Sequence, residues 1–387
     1  MRSSSSGRSG EPVTRVVVLG GGVGGTIVAN LLSRRAKGAD VTLVDRTGKH
    51  VYQPGFVYVA FGRQKPGKLA RDERRLLRRR VRLVIDEARR VDADGKVVHL
   101  ASGRMLPYDY LVIATGAELA ADRIPGSEDA HHFWSLPGAL RLRDALAAFK
   151  GGKVVVAIGG MPYKCPPAPA EAACLLDYYF TRKGIRDKVD LHYLSPLGRV
   201  FPIESVSPAV QKLFEEKHVR FTTFFNVETV DATRKVVTSL EGEDVPYDLL
   251  ILVPPHRGVT FAKESGLTDA GGWIPTDKHT LEVKGHEGTM WAIGDATDIP
   301  TSKSGATAHF EAKVVAENLA ARIHGQAPEA RYTGKVMCFF DAGFRRAFAL
   351  RFDYGHPPPP MAPSRRWYAG KMFLNRFYWA LIPKARA

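Results

Sequence analysis

The apolar residues of this chain fall mostly in short unbroken runs, the pattern of strands buried on both faces of a parallel sheet. Arg15–Leu19 (RVVVL) is the first run; it ends in the glycine-rich stretch 20–25, and the apolar segment 26–32 follows. That order predicts a strand, a tight turn and a helix. Residues 41–44 predict the next strand. Residues 153–158 (KVVVAI) repeat the signal and again run into glycines, Gly159 and Gly160. The recurrence predicts two related α/β units. A third block, 249–253, closes at Pro254-Pro255, which cannot continue a central strand. In 306–323, Phe310, Val314 and Leu319 recur at roughly helical spacing, with Gly325 as the stop. After Tyr332 the pattern changes: Phe339, Phe340, Phe344, Phe348 and Phe352 crowd together, 356–360 reads as a stiff linker, and 365–384 is aromatic and basic.

Charge alters this picture more than composition does. The chain has 387 residues, 44% of them hydrophobic, which is ordinary for two or three globular domains. Its net charge of +16 favours anionic partners. Arg71, Arg74, Arg75, Arg78, Arg79, Arg80 and Arg82 concentrate that charge, and the plain expectation for them is a solvated helical face. No aromatic residue is interleaved among them and no recognition module is visible, so no nucleic-acid partner is expected. Three cysteines, Cys165, Cys174 and Cys338, are too few for a secreted disulfide scaffold. Residues 1–8 read as a disordered tail and not a secretory signal, and no apolar run is long enough to span a bilayer. The expected setting is cytoplasmic, free or at a membrane surface, and no metal is expected.

Gly20-x-Gly22-x-x-Gly25 lies between predicted strand and helix, and Asp45 ends the next strand. Gly20 permits the turn, Gly22 lets a pyrophosphate approach the helix N-terminus, and Gly25 lets helix and strand pack closely. Asp45 can accept hydrogen bonds from ribose hydroxyls. FAD and NAD share this fingerprint. Two further segments, 110–116 (YLVIATG) and 289–295 (TMWAIGD), complete a pattern that resembles the pyridine nucleotide–disulfide oxidoreductase superfamily over roughly residues 15–325. The resemblance implies FAD, with Thr115, Gly116, Gly294 and Asp295 bracketing the flavin and Asp295 on its ribityl chain. It also implies an α/β fold of two Rossmann-like dinucleotide-binding domains plus a small C-terminal region. The expected boundaries are 12–148 for the first part of the FAD domain, 149–284 for the second domain, 285–330 for the return, and 331–387 for the remainder.

The second strand–turn departs from the fingerprint. Counting from Gly159, its second and third glycine positions hold Met161 and Lys164, and Pro162 has no N–H to donate. An NAD(P)H site is therefore not expected there. Cys165 stands in its place, in KCPPAPAEAACLL before a predicted helix, where Lys164 and the helix dipole should favour the thiolate. Here the sequence resembles sulfide:quinone oxidoreductases and the related flavocytochrome c sulfide dehydrogenases. In that family a cysteine at this position, followed by a glutamate (Glu171), pairs with a second cysteine near the C-terminus, where GKVMCFFDAG supplies Cys338. LVPPHRG (252–258), PTSKSGATAHFEA (300–312) and KMFLNRFYW (371–379) extend the likeness. Cys174, in an apolar helix, reads as a small core residue.

The resemblance implies oxidation of sulfide to polysulfide or sulfur by a Cys165/Cys338 redox pair. Glu171 would handle protons and electrons would pass through FAD to a quinone. It places Lys303 near the flavin pyrimidine edge, and Phe339 with Phe377 or Tyr378 at the quinone. The segment 365–384 reads as an amphipathic helix with aromatic and basic faces, suited to an anionic membrane surface. The stretch 135–146 lacks the additional cysteine and histidine of bacterial members, so the FAD is expected to be non-covalent. Two other readings remain: a sulfide dehydrogenase with a cytochrome or other protein acceptor, and a flavin-bound redox sensor or interaction protein without turnover. The oligomeric state is left open.

Overall fold

The computed structural model describes residues 13–386; the expected N-terminal tail lies outside them. In chain order the principal elements begin with β1 (Arg15–Leu19), α1 (Val23–Arg35), β2 (Asp40–Asp45), β3 (Arg82–Ile85) and β4 (Tyr110–Ile113). α2 (Leu136–Ala148), β5 (Gly152–Ile158), α3 (Ala168–Lys183), β6 (Val189–Leu194), β7 (Val219–Thr222) and β8 (Leu249–Val253) follow. The chain ends with β9 (Met290–Ala292), α4 (Gly305–Ile323), β10 (Val336–Asp341), β11 (Ala347–Phe352) and α5 (Arg365–Leu381).

Two parallel sheets organise these elements. The first has the order β9-β4-β1-β2-β3, so the chain returns after the second sheet to add β9 beside β4. The second has the order β7-β6-β5-β8. Val16, Val17, Val18 and Leu19 are all buried, as are Val154 to Ile158, because helices or loops cover both sheet faces. α1 and α4 pack together on the first sheet, with Ile27, Val28 and Leu31 in one core with Val315, Ala316 and Leu319. β10 and β11 pair as an antiparallel hairpin, and Phe340, Phe348 and Tyr378 join the core of the second sheet with Tyr52 and Phe56 from the first half. The C-terminal region thus bridges the two α/β halves.

One expectation is corrected. The arginine-rich segment is not a helical face: it forms a short strand at Ala70–Asp72, a single 3-10 turn at Glu73–Arg75, and then β3. The turns arise because Arg74 donates to the carbonyls of Arg78 and Val81, while the Arg78 N–H is taken by Asn30 Oδ1. Residues before 149 also reach the strands that follow the second sheet's first half. Residues 117–119 pair with 256–258, and His131 exchanges backbone hydrogen bonds with Leu250 and Leu252.

Candidate functional site

The first βα turn is built by steric necessity around open space. Gly20 has φ +100°, and a Cβ there would lie 2.5 Å from the Ala114 carbonyl oxygen. A Cβ on Gly25 would lie 2.0 Å from the Gly20 oxygen, so only glycine lets α1 sit this close to β1. Gly22 differs: nothing lies within 4 Å of its added Cβ, and it caps α1 without a side-chain hydrogen bond. The helix N-terminus therefore faces space with N–H groups to offer an anion. Asp45 has a role that the spacing did not reveal. Its Oδ2 accepts from Gly21 N–H at 2.8 Å, and its Oδ1 accepts from Thr47 N–H and Gly48 N–H at 2.9 and 2.7 Å. Ribose binding would come on top of this brace.

The return strand β9 delivers a second cluster. Gly294 (φ +73°) donates its N–H to Glu311 Oε2 at 2.6 Å, which fixes the turn that carries Asp295. Burial pushes the Glu311 carboxyl up to about 8, against the pull of that N–H. Burial also raises the Asp295 carboxyl, against Lys164 and Lys303. Lys303 Nζ donates to the carbonyls of Asp295 (3.1 Å) and Thr297 (2.7 Å), and it lies 3.6 Å from the centroid of the Trp273 ring. Burial lowers its ammonium to about 8. Asp295 Oδ1 and Thr115 Oγ1 are buried without a hydrogen-bond partner. Two such orphaned groups are costly unless a ligand satisfies them, and the hydroxyls of a ribityl chain are the right chemistry. These residues fit a flavin dinucleotide.

The second βα turn carries chemistry of another kind. Cys165 adopts φ +58°, rare for a residue with a side chain, and is pinned there by two backbone bonds: its N–H donates to Lys303 O (2.7 Å) and its carbonyl accepts from Ala168 N–H (2.8 Å). The Lys303 loop and Cys165 are thereby locked together. Cys338 lies half-buried in β10, and its charge is among those felt by Cys165. The two cysteines are close enough for their charges to interact, although separate segments supply them. An apolar cavity of about 300 Å³ opens beside them, lined by Pro166, Pro167, Cys338, Leu350 and Phe352. Cys174 is buried in the core of the second sheet.

The thiolate expectation is corrected. Cys165 opens onto the site, but close packing by protein atoms raises its thiol above the ordinary value, and Cys338 and Glu171 push the same way. Burial pushes Cys338 up to about 11, with the Ser304 hydroxyl pulling down. The cation that favours both thiolates is Lys371; Lys164, whose Nζ donates to Gln53 Oε1, interacts with Cys165 alone of the two.

Lys371 also corrects the reading of the terminal helix, because it is buried and not part of a basic outer face. Its Nζ donates to Glu171 Oε1 at 2.5 Å. Burial pulls its ammonium down, but Glu171 and Asp341 outweigh that and hold it above its usual value. Asp341 in turn accepts from Tyr58 Oη (3.2 Å) and Arg63 (3.3 Å). The three aromatic positions expected at a quinone do not share one face. Phe339 is half-buried next to Cys338, with its ring against Gly370 of α5. Phe377 is exposed and packs on Phe373, with ring centroids 4.7 Å apart. Tyr378 turns inward, its hydroxyl 2.6 Å from His50 Nε2 and its ring 4.2 Å from that of Tyr52. The sequence reading missed Lys371 as a buried cation, and with it Asp341, Arg63, His50, Glu73 and Glu311. The available signal was the spacing of Lys371, Asn375 and Tyr378, one helical face at i, i+4 and i+7.

Residues 14–312 match the family described as pyridine nucleotide-disulphide oxidoreductase. Among curated relatives, the mitochondrial sulfide:quinone oxidoreductase of Mus musculus is 28% identical over 89% of this chain and 79% of its own length. The Dictyostelium discoideum protein of the same name is 28% identical over 99% of this chain and 89% of its own. Among solved structures, the sulfide:quinone oxidoreductase of Aquifex aeolicus superposes with a TM-score of 0.85 at 24% identity, covering 96% of this chain and 92% of that one.

Proposed function

The chain belongs to the pyridine nucleotide-disulphide oxidoreductase family, and on that premise we propose that it is an FAD-dependent sulfide:quinone oxidoreductase. The observation that carries the proposal is the convergence of Cys165 and Cys338 beside the Asp295–Lys303 cluster. The relatives named above support it. In this reading Gly20, Gly22, Gly25, Asp45, Thr115, Gly116, Gly294, Asp295 and Lys303 hold FAD without a covalent link. Bound FAD supplies a two-electron acceptor beside the cysteines and a donor to the quinone.

The protein's own groups perform the sulfur chemistry. In the oxidised pair a bond joins Cys165 and Cys338, and hydrosulfide attacks one of the two sulfurs. That bond breaks, leaving a persulfide on one cysteine and a thiolate on the other. Lys371 stabilises the thiolate, and Glu171 tempers Lys371 and is placed to hold a proton. A second hydrosulfide takes the outer persulfide sulfur as a disulfide anion, the shortest polysulfide, and leaves both cysteines reduced; the S–S bond re-forms when the pair gives up two electrons and a proton. The apolar cavity beside Cys338 gives the sulfur chain room. Of the three aromatic positions, the half-buried Phe339 and the exposed Phe377 would meet an approaching quinone, with the inward-turned Tyr378 behind them. The exposed Phe373 and Phe377, with Arg365, Arg366 and Arg376, support an approach from a membrane surface.

Anaerobic sulfide titration of the purified yellow protein tests the reading. Sulfide should bleach the flavin, decylubiquinone should restore its colour, and acid precipitation should release all of it. Re-oxidation by cytochrome c but not by quinone would assign the protein to the sulfide dehydrogenases. No bleaching would leave a flavin-bound sensor.

A further inference from the structure

A second buried titratable cluster sits behind Tyr378, away from the cysteines, and takes no part in the chemistry above. His50 and Glu73 are both fully buried, with His50 Nδ1 3.4 Å from Glu73 Oε2. Thr26 on α1 donates its hydroxyl proton to Glu73 Oε1 at 2.7 Å. The same hydroxyl oxygen lies 3.1 Å from His50 Nδ1. Having spent its single proton on Glu73, Thr26 can only accept from the ring. Neutral His50 therefore carries its proton on Nδ1, and Nε2 accepts from the Tyr378 phenol at 2.6 Å. Protonating His50 would add an N–H at Nε2, reverse that bond and free the phenolic proton for another acceptor. Glu73 Oε2, which has no other hydrogen-bond partner, is the counter-charge waiting for the imidazolium. The titratable groups facing the ring are Glu73 and Tyr378. Tyr52 stacks on Tyr378, and Arg71 stands beyond Trp379, 4.8 Å from that ring's centroid.

We propose that the Glu73–His50–Tyr378 chain delivers a proton to the quinone; this deepens the quinone-acceptor reading and rests on it. Tyr378 lies next to the redox site through Tyr52, whose own hydroxyl feels Lys371, Glu171 and Cys165. Burial holds the Tyr378 phenol far above its ordinary value, so it stays a proton donor. Reducing a quinone to its quinol takes two electrons and two protons. Bound FAD in its reduced form would supply both electrons and one proton. The Tyr378 phenol gives the second proton to a quinone oxygen, the imidazolium Nε2–H re-protonates the phenolate, and a solvent proton restores the imidazolium. Tyr378 is the donor in this scheme, and His50 and Glu73 are the positioning residues behind it.

Two measurements test the chain. In protein labelled with 15N-histidine, neutral His50 should be the Nδ1–H tautomer; an Nε2–H tautomer overturns the proposal without reference to turnover. In stopped flow, protein reduced by dithionite is mixed with decylubiquinone across neutral to alkaline pH. Tyr378→Phe and His50→Gln should each slow re-oxidation about 100-fold, the ordinary scale of a positioned proton donor. The double variant should be no slower than either single one. Tyr378→Phe keeps the packed ring, so loss of fold is not its expected consequence, and flavin bleaching by sulfide serves as the internal control. Re-oxidation within a few-fold of the parent in both variants overturns the proposal. Starting from dithionite keeps the outcomes apart. If sulfide fails to bleach the parent, the sulfide reading falls while the relay is still tested. If quinone fails to re-oxidise the reduced parent, the acceptor reading and the relay fall together.

Discussion

At the scale of single residues, burial raises the thiols of Cys165 and Cys338, and groups from other segments bias them further. Cys165 announces itself by replacing a glycine fingerprint with a proline-flanked thiol, and Cys338 by its place in a family-like motif. What holds their titration in place comes from residues that only tertiary contact brings near: Lys371, Glu171 and Ser304. Cys165→Ser and Cys338→Ser should each abolish sulfide-dependent quinone reduction while FAD stays bound. The double variant should be little worse than either single one, because groups acting as a unit are not additive. Cys174→Ser should keep most activity and lose about 1–3 kcal/mol of stability, the cost of a hydroxyl in an apolar core. Full turnover by either active-site single variant would end the two-cysteine scheme. Glu311 gives a pH prediction for flavin-free protein. Its folded carboxyl titrates near 8 against an ordinary 4.5, so the folded state binds the extra proton between those values. That contribution to stability is complete below 4.5 and is lost as pH rises through 8. Thermal melts of Glu311→Gln, whose side-chain oxygen can still accept from Gly294, should decline less over that window than those of the parent; parallel curves would count against it.

At the scale of elements, strands read more reliably than their surroundings. The expected β1 matches Arg15–Leu19 residue for residue, and the runs at 153–158 and 249–253 form adjacent strands of the second sheet. Strands buried on both faces leave an unbroken apolar record in the sequence. The arginine-rich segment misled because charge spacing says nothing of the carbonyls that Arg74 reaches, and these make turns of it. The terminal helix misled because one face, Lys371 and Tyr378, is committed to the interior. The clearest prediction at this scale concerns the two βα turns. In the first, Gly22 opens onto space at a helix N-terminus; in the second, eight residues intervene between Gly159 and the start of α3 at Ala168, with Pro162, Pro166 and Pro167 donating no N–H. NADH should therefore reduce the flavin far more slowly than sulfide does. Stopped-flow reduction by NADH at a rate comparable to sulfide would show that this turn binds a nucleotide after all.

At the scale of the whole molecule, two basic segments far apart in the sequence come together. Asn30 donates to both the Leu76 and Pro383 carbonyls, clasping the arginine-rich turn and the chain end side by side. Arg71 stacks over Trp379 at the same junction. Composition revealed the net charge of +16 but not that its densest stretch adjoins the helix bearing Phe373 and Phe377. Among the described residues no helix is long and apolar enough to cross a membrane. On the membrane-surface reading proposed above, these arginines and the two exposed aromatic rings would lie against anionic headgroups, where each cation near the surface contributes about 1 kcal/mol. The protein should sediment with vesicles containing anionic lipid and far less with neutral ones, and salt should release it. Phe373→Ser with Phe377→Ser should weaken binding at all salt concentrations, because the loss is apolar burial. Arg365→Glu with Arg366→Glu should weaken it most at low salt, because the loss is charge. If neither pair changes sedimentation while neutralising Arg75, Arg78 and Arg79 does, the contact lies on the arginine-rich turn and not on α5. Equal binding to neutral and anionic vesicles would remove the electrostatic basis altogether.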